Sequence, residues 1–193
     1  IALLEGSSGM MIYWARFACD ANNEESIDQQ LAKNPNIIMI RNQAKITIDN
    51  PTGNGYLVVT GFTAYNTNAF GTVAPYHPTK GWVWSSNADV EPFVTLPAND
   101  AKLSDIQDVQ DISQNPELYV FECENSSEDP VSVIIRGHLP GESEELYYRV
   151  MLIKANGEQE LIRRNHHYMF HIAGALSYGQ PTFEAALTAA ATN

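Results

Sequence analysis

Three histidines near the end of the chain are the residues whose type best suits metal binding. His166, His167 and His171 lie close together, and on a β-strand His167 and His171 share a face because side chains alternate. A zinc site needs three or four converging ligands, and no Cys-x-x-Cys or His-Glu-x-x-His spacing completes this set. The pattern therefore predicts hydrogen-bonded imidazoles on a half-exposed strand, and we expect neither a metal site nor a cofactor.

Clustered carboxylates could support glycoside hydrolysis or bind calcium. No D-x-D-x-D-G loop is present, and the serine pairs lack the Gly-x-Ser-x-Gly context of a nucleophile. We interpret the acidic clusters as solvated loop charge and expect no catalytic site, so a hydrolase on a β-scaffold is the weakest of three functional hypotheses. The clusters are Glu122/Glu124, Glu128/Asp129 and Glu142 to Glu145.

The aromatic segment Y-H-P-T-K-G-W-V-W offers a possible recognition surface. Tyr76, Trp82 and Trp84 are its candidate ligand contacts, and the two tryptophans would share one side of a strand. If they are exposed they form a sugar-stacking platform, and if they are buried they belong to the core.

The composition excludes several partners. The 193 residues carry a formal net charge of −12 with only 11 Lys plus Arg, which opposes binding to nucleic acid or anionic membranes. No apolar run approaches the ~18 residues of a membrane span. Two cysteines, Cys19 and Cys123, could form one disulfide or remain two buried thiols.

The best-specified structural element is a predicted antiparallel hairpin of residues 145–153 and 161–174. Asn156-Gly157 between them is a strong hairpin-turn signal, because both turn positions favour positive φ. On the return strand Tyr168, Phe170 and Ile172 alternate with His167 and His171. We predict that the first three face the core and that both histidines are more exposed.

The remaining pattern also favours strands. Residues 37–48 and 56–65 are expected to pair antiparallel through a turn, with 117–123 and 131–137 as further strands. Residues 10–19 suit a buried strand, and 83–84 and 93–96 suit short strands. Residues 24–32 suit either a short helix or a mobile loop, and 181–191 suit a short helix. These elements predict an all-β, antiparallel β-sandwich with a short C-terminal helix. Strict alternation over 56–65 places on one face Leu57, Val59, Gly61 and Thr63.

Several of these strands resemble the C-terminal half of the fimbrillins, the type V pilus subunits of Bacteroidota. The likeness rests on Arg164-Asn165-His166-His167-Tyr168, on Tyr147-Tyr148 before it, and on the run Ile40 to Ile46. It covers residues 36–193, a fimbrillin-like sandwich domain, and leaves 1–35 as a remnant or irregular segment. The resemblance implies a transthyretin-like β-sandwich.

The resemblance also implies a role. Fimbrillins are extracellular subunits of outer-membrane-attached fimbriae and join other subunits by strand exchange, so we expect a structural or tip subunit that contributes to adhesion to a glycan or protein receptor. The alternative from another class is a carbohydrate-binding module of a surface adhesin. This chain lacks most of an N-terminal sandwich and the family's final strands, so we expect an excised domain. Its open sheet edge should be covered by residues 20–34 or 181–191, or pair with another copy.

Overall fold

The computed structural model describes residues 3–5, 11–15, 19–33, 39–49, 55–73, 76–77, 81–82, 108–123, 125–126, 128, 130–172 and 179–191. The described chain is mostly β with few helices, as the sequence predicts. The strands are β1 (Leu3–Glu5), β2 (Tyr13–Trp14), β3 (Ile40–Arg41), β4 (Gln43–Asp49), β5 (Val58–Tyr65), β6 (Phe70–Thr72), β7 (Tyr76–His77), β8 (Gly81–Trp82), β9 (Gln110–Asp111), β10 (Leu118–Phe121), β11 (Ser132–His138), β12 (Leu146–Met151) and β13 (His167–His171). The helices are α1 (Ile27–Ala32), the 3-10 turn Ile112–Gln114 and α2 (Phe183–Thr188).

Two sheets share one apolar core. The first has the strand order β10-β4-β13 and the second the order β12-β11-β5-β9. Ala44 and Ile46 of the first sheet belong to the same buried cluster as Phe62, Val133 and Ile135 of the second. Since each sheet has one strongly apolar face, burying both faces against each other is the arrangement that removes most apolar surface from water.

A β-bulge in β5 changes which residues face this core. Arg136 of β11 lies opposite Gly61, whereas the next residue lies opposite Val59, so Thr60 is the extra residue. Before the bulge the core receives Leu57 and Val59, and after it the core receives Phe62 and Ala64. The strict alternation predicted over 56–65 is therefore wrong, because a bulge shifts the side-chain register by one position.

The predicted hairpin of 145–153 and 161–174 does not form. A local turn closes at Asn156-Gly157, where the Lys154 N–H donates to the Glu158 carbonyl at 2.8 Å. The chain then leaves β12, and β13 pairs in parallel with β4 in the other sheet. The purely antiparallel expectation is thus wrong for this pair, because the segment from 152 to 166 crosses between sheets and delivers β13 in the same direction as β4.

The expected pairing of residues 37–48 with 56–65 is also wrong. β4 pairs with β10 and β13, whereas β5 pairs with β11 and β9. The two strands therefore lie in different sheets, because a cluster of turn residues lets the chain change direction without fixing which strands pair.

The β13 face assignment is confirmed. Ile172 is buried and Tyr168 and Phe170 are half-buried against the core, whereas His167 and His171 are exposed. The side chains of β13 therefore alternate between the core and the outer face, as the sequence predicts.

The two helices begin at side-chain caps. Ser26 and Gln29 form a reciprocal capping box at α1, inside the region 24–32 expected to be helical. At α2 the Thr182 hydroxyl accepts from the Ala185 N–H at 3.2 Å, as expected for the 181–191 segment. Neither described helix has the length and apolar character that crossing a membrane requires.

The segment around α2 covers the edge of β12. Gln180 exchanges two backbone hydrogen bonds with Tyr147, at 2.9 and 2.8 Å. Arg149 donates to the Leu187 carbonyl at 2.9 Å, and Phe183 packs edge-on against Tyr147. Of the two segments expected to cover an open edge, residues 181–191 contact β12, and the backbone bonds to its edge come from Gln180 just before them.

The strands near the start of the chain pair with later segments. β1 pairs antiparallel with β6, and β2 pairs antiparallel with β3. The buried strand expected over 10–19 is wrong, because β2 is only two residues long and Tyr13 is 56% exposed. The short strands expected at 83–84 and 93–96 lie outside the described residues.

Candidate functional site

The outer face of the three-stranded sheet carries polar and aromatic side chains in ordered rows. Tyr119 of β10, Lys45 of β4 and His167 of β13 occupy one row across the sheet. Further along, Asp49 lies opposite His171, and Met169 lies between the two histidines with 61% of its surface exposed. Alternation dictates this face, because the intervening residues of each strand point into the core.

Pairwise contacts connect these side chains. Lys45 Nζ lies 2.8 Å from one carboxylate oxygen of Glu117, and the Tyr119 hydroxyl donates to the other at 2.6 Å. These hydrogen bonds from Lys45 and Tyr119 lower the pKa of Glu117, while the bond to Glu117 raises the pKa of Tyr119. All three groups lie at the surface, so these contacts hold the side chains in place but add little to the stability of the fold.

The histidines do not converge on a common point. His167 Nε2 lies 2.7 Å from the Thr47 hydroxyl, and His171 Nδ1 lies 2.8 Å from Asp49 Oδ2. His166 Nδ1 lies 2.9 Å from the Arg164 carbonyl. Within the described part of the chain, no three His, Cys, Asp or Glu side chains could hold a metal ion together.

The buried polar centre of the molecule is the ion pair of Arg164 and Glu122, and the sequence interpretation missed it. Each side chain is 1% exposed, and Arg164 Nη2 lies 2.5 Å from Glu122 Oε1. The prediction that Glu122 is solvated loop charge is wrong, because its side chain is buried. The signal was present in the sequence, because Glu122 stands between the apolar residues Phe121 and Cys123 at the end of a strand.

The same guanidinium anchors β6. Arg164 Nη2 donates to the Thr72 hydroxyl at 2.6 Å, and Nη1 donates to the Val73 carbonyl at 3.0 Å. The remaining nitrogen, Nε, is buried and has no hydrogen-bond partner among the described residues. A guanidinium offers five donors in a rigid fork, so one side chain holds β6 and the end of β10 in fixed relation.

Close packing completes the β6 anchor. A Cβ added to Gly71 would lie 2.1 Å from the Phe121 ring, so only glycine allows β6 to approach β10 this closely. Asn68, just before β6, donates to the Glu122 carbonyl at 3.0 Å. β6 is thus fixed on its inner side while it pairs with β1 along its edge.

Two short strands of the aromatic segment pair antiparallel. In β7 and β8 the backbone of Tyr76 lies directly opposite that of Trp82. Trp84, the third candidate ligand contact, lies outside the described residues. The two cysteines are not bridged: Cys19 is exposed and Cys123 is buried, so the disulfide alternative is wrong, and so is burial of both thiols.

No protein-family model matches this chain, and neither a curated protein nor a solved structure matches it.

Proposed function

We propose that this chain is a structural or tip subunit of a cell-surface fimbria, with a transthyretin-like sandwich that joins neighbouring subunits by strand addition. Three things support this: the strand motifs that resemble fimbrillins, the two sheets around one core, and the environment of β6. The environment of β6 is the observation on which the proposal mainly rests.

Strand addition needs a rigid acceptor and a replaceable strand, and β6 with β1 has this form. Leu3, Leu4 and Glu5 of β1 lie opposite Thr72, Gly71 and Phe70. The acceptor is held by Arg164 and by packing against Phe121, whereas β1 contributes only three residues to the pair. Backbone hydrogen bonds supply affinity in such an arrangement, and alternate side chains supply specificity.

The energetics favour exchange at this position. A three-residue strand makes few backbone hydrogen bonds, and elements with few contacts open at low free-energy cost. The hydrogen bonds described for the Arg164 guanidinium go to Glu122, Thr72 and Val73, so we expect β6 to keep its position when β1 leaves. A longer strand from a neighbouring subunit would then bind the same edge with more hydrogen bonds.

The second candidate, a carbohydrate-binding module, is favoured by the β7–β8 strand pair. The backbone of Tyr76 lies directly opposite that of Trp82, and Tyr and Trp are residue types enriched at binding interfaces because each combines an apolar ring with a polar group. Titration with a glycan library, with Tyr76→Ala and Trp82→Ala as variants, tests this role. Saturable binding that both variants weaken would support it, and binding that neither variant changes would contradict it.

The fimbrial role is tested on intact cells that encode this chain. Antibodies raised against the purified chain, followed by gold labelling and electron microscopy, should decorate surface filaments along their length or at their tips. Cells lacking the gene, examined in parallel, should lose the label and should regain it when the gene is restored. Label confined to the cell interior would contradict the proposal.

A further inference from the structure

Among the described residues, no strand pairs with the outer edge of β13. The His166 carbonyl accepts from the Lys45 N–H, and the Ile172 N–H donates to the Asp49 carbonyl, so the even-numbered residues of β13 bond to β4. Because backbone groups alternate in direction along a strand, the N–H and C=O groups of His167, Met169 and His171 point away from β4. The described residues supply no strand on that side of β13.

The sequence of β13 itself lacks the residues that normally prevent an edge strand from pairing with another chain. Natural edge strands are protected by lysine, proline, bulges or covering segments. β13 reads His-Tyr-Met-Phe-His and contains no proline and no lysine. Both exposed imidazoles are tied back to β4, one to Thr47 and the other to Asp49, so neither extends across the edge.

The residue types of β13 are symmetric about Met169. His167 and His171 flank the strand, Tyr168 and Phe170 lie inside them, and Met169 is central. When such a strand pairs antiparallel with a copy of itself around Met169, each residue lies opposite one of its own kind. The strand is therefore complementary to itself in register, which is the requirement of an isologous two-fold interface.

We propose that a second copy of this chain binds here, with β13 pairing antiparallel to β13 of its partner about a two-fold axis at Met169. The outward backbone groups then form about six hydrogen bonds, two for each directly opposed pair of residues. The two three-stranded sheets become one continuous sheet. This interface uses β13 rather than β6, so it does not depend on the proposed fimbrial function.

Apolar burial favours this occupant, and the charges close to the edge do not oppose it. Tyr168 and Phe170 are only half-buried in a single copy. In the dimer, Tyr168 of one copy would lie beside Phe170 of the other on the core side of the joined sheet. On the outer face Asp49 is already paired with His171, so no unpaired carboxylate of β4 or β13 meets its copy. The net charge of −12 acts from farther away and is screened beyond ~8 Å at physiological salt.

Sedimentation velocity over a concentration series tests the interface. The unaltered chain should show a reversible monomer–dimer equilibrium. Met169→Lys should weaken dimerisation at least about tenfold, because two like charges would lie directly opposite each other. Val58→Lys, an equally charged change at an exposed position on β5, should leave the equilibrium unchanged.

A mixture of variants tests the register. Met169→Lys and Met169→Glu should each be monomeric, and mixing them should restore a dimer, because residue 169 lies opposite itself. In a Cys19→Ser background, Met169→Cys should form a disulfide-linked dimer under mild oxidation, since directly opposed residues of this type have Cα atoms about 5.5 Å apart. Thr47→Cys in the same background should not. A chain that stays monomeric into the hundreds of micromolar, or a mixture that does not dimerise, would overturn the proposal.

Discussion

The guanidinium of Arg164 donates to the carboxylate of Glu122 across 2.5 Å, and both side chains are 1% exposed. Arg164 lies just before β13 and Glu122 just after β10, on opposite sides of the central strand β4. The same Arg164 holds the end of β6. One ion pair therefore links the edges of the three-stranded sheet to the strand at which we propose subunit joining.

Glu122→Gln should destabilise the fold strongly. The amide keeps the shape of the side chain but leaves the Arg164 charge buried without a counter-charge, which costs about 3–5 kcal/mol. Chemical denaturation monitored by circular dichroism measures this loss. Glu158→Gln, which removes the exposed contact with Lys154, is the matched control and should leave the midpoint nearly unchanged. Similar decreases of the denaturation midpoint for the two variants would show that the buried ion pair contributes no more to stability than an exposed contact.

The sequence predicted which residues face the core better than which strands pair. The register of β13 followed from alternation, which is local. Its partner did not, because the Asn156-Gly157 turn fixes only a few residues and nothing in residues 161–174 specifies β12 over β4. The bulge at Thr60 and the burial of Arg164 were missed for a related reason: both depend on contacts between segments far apart in the chain.

Stability should fall in alkaline solution because of Tyr168. Burial raises the pKa of its hydroxyl to about 12, although the bond from the Arg163 N–H acts in the opposite direction. Between pH 10 and pH 12 the unfolded chain loses this proton while the folded chain keeps it, so the free energy of unfolding decreases as pH rises. Allowing for partial exposure, the loss is about 1–2 kcal/mol.

Tyr168→Phe isolates this contribution. It removes the hydroxyl that donates to the Leu161 carbonyl at 2.7 Å, so the variant should be about 1 kcal/mol less stable at neutral pH. Urea denaturation of both proteins should be measured from pH 8 to pH 12. The difference between their free energies of unfolding should become smaller above pH 10. A constant difference would exclude Tyr168 as the titrating group.

Gly71→Ala should disrupt the β6 anchor. The new Cβ would collide with the Phe121 ring, and overpacking of this kind costs about 1–3 kcal/mol. Phe121→Ala should be destabilising for the opposite reason, since it leaves a cavity. Thermal unfolding should be measured for both single variants and for the double variant. The loss of stability in the double variant should be clearly smaller than the sum of the losses in the two single variants. Additive losses would mean that the two residues are not in contact.

Strand addition at β6 is tested most directly with a chain that lacks residues 1–9 and a synthetic peptide of those same residues. The peptide should raise the melting temperature of the shortened chain, and the shift should grow with peptide concentration by mass action. A scrambled peptide of identical composition should have little effect. The chain that keeps residues 1–9, whose β6 edge is already paired with β1, should respond weakly to either peptide. Equal shifts from native and scrambled peptides, or no shift from the native one, would contradict the account.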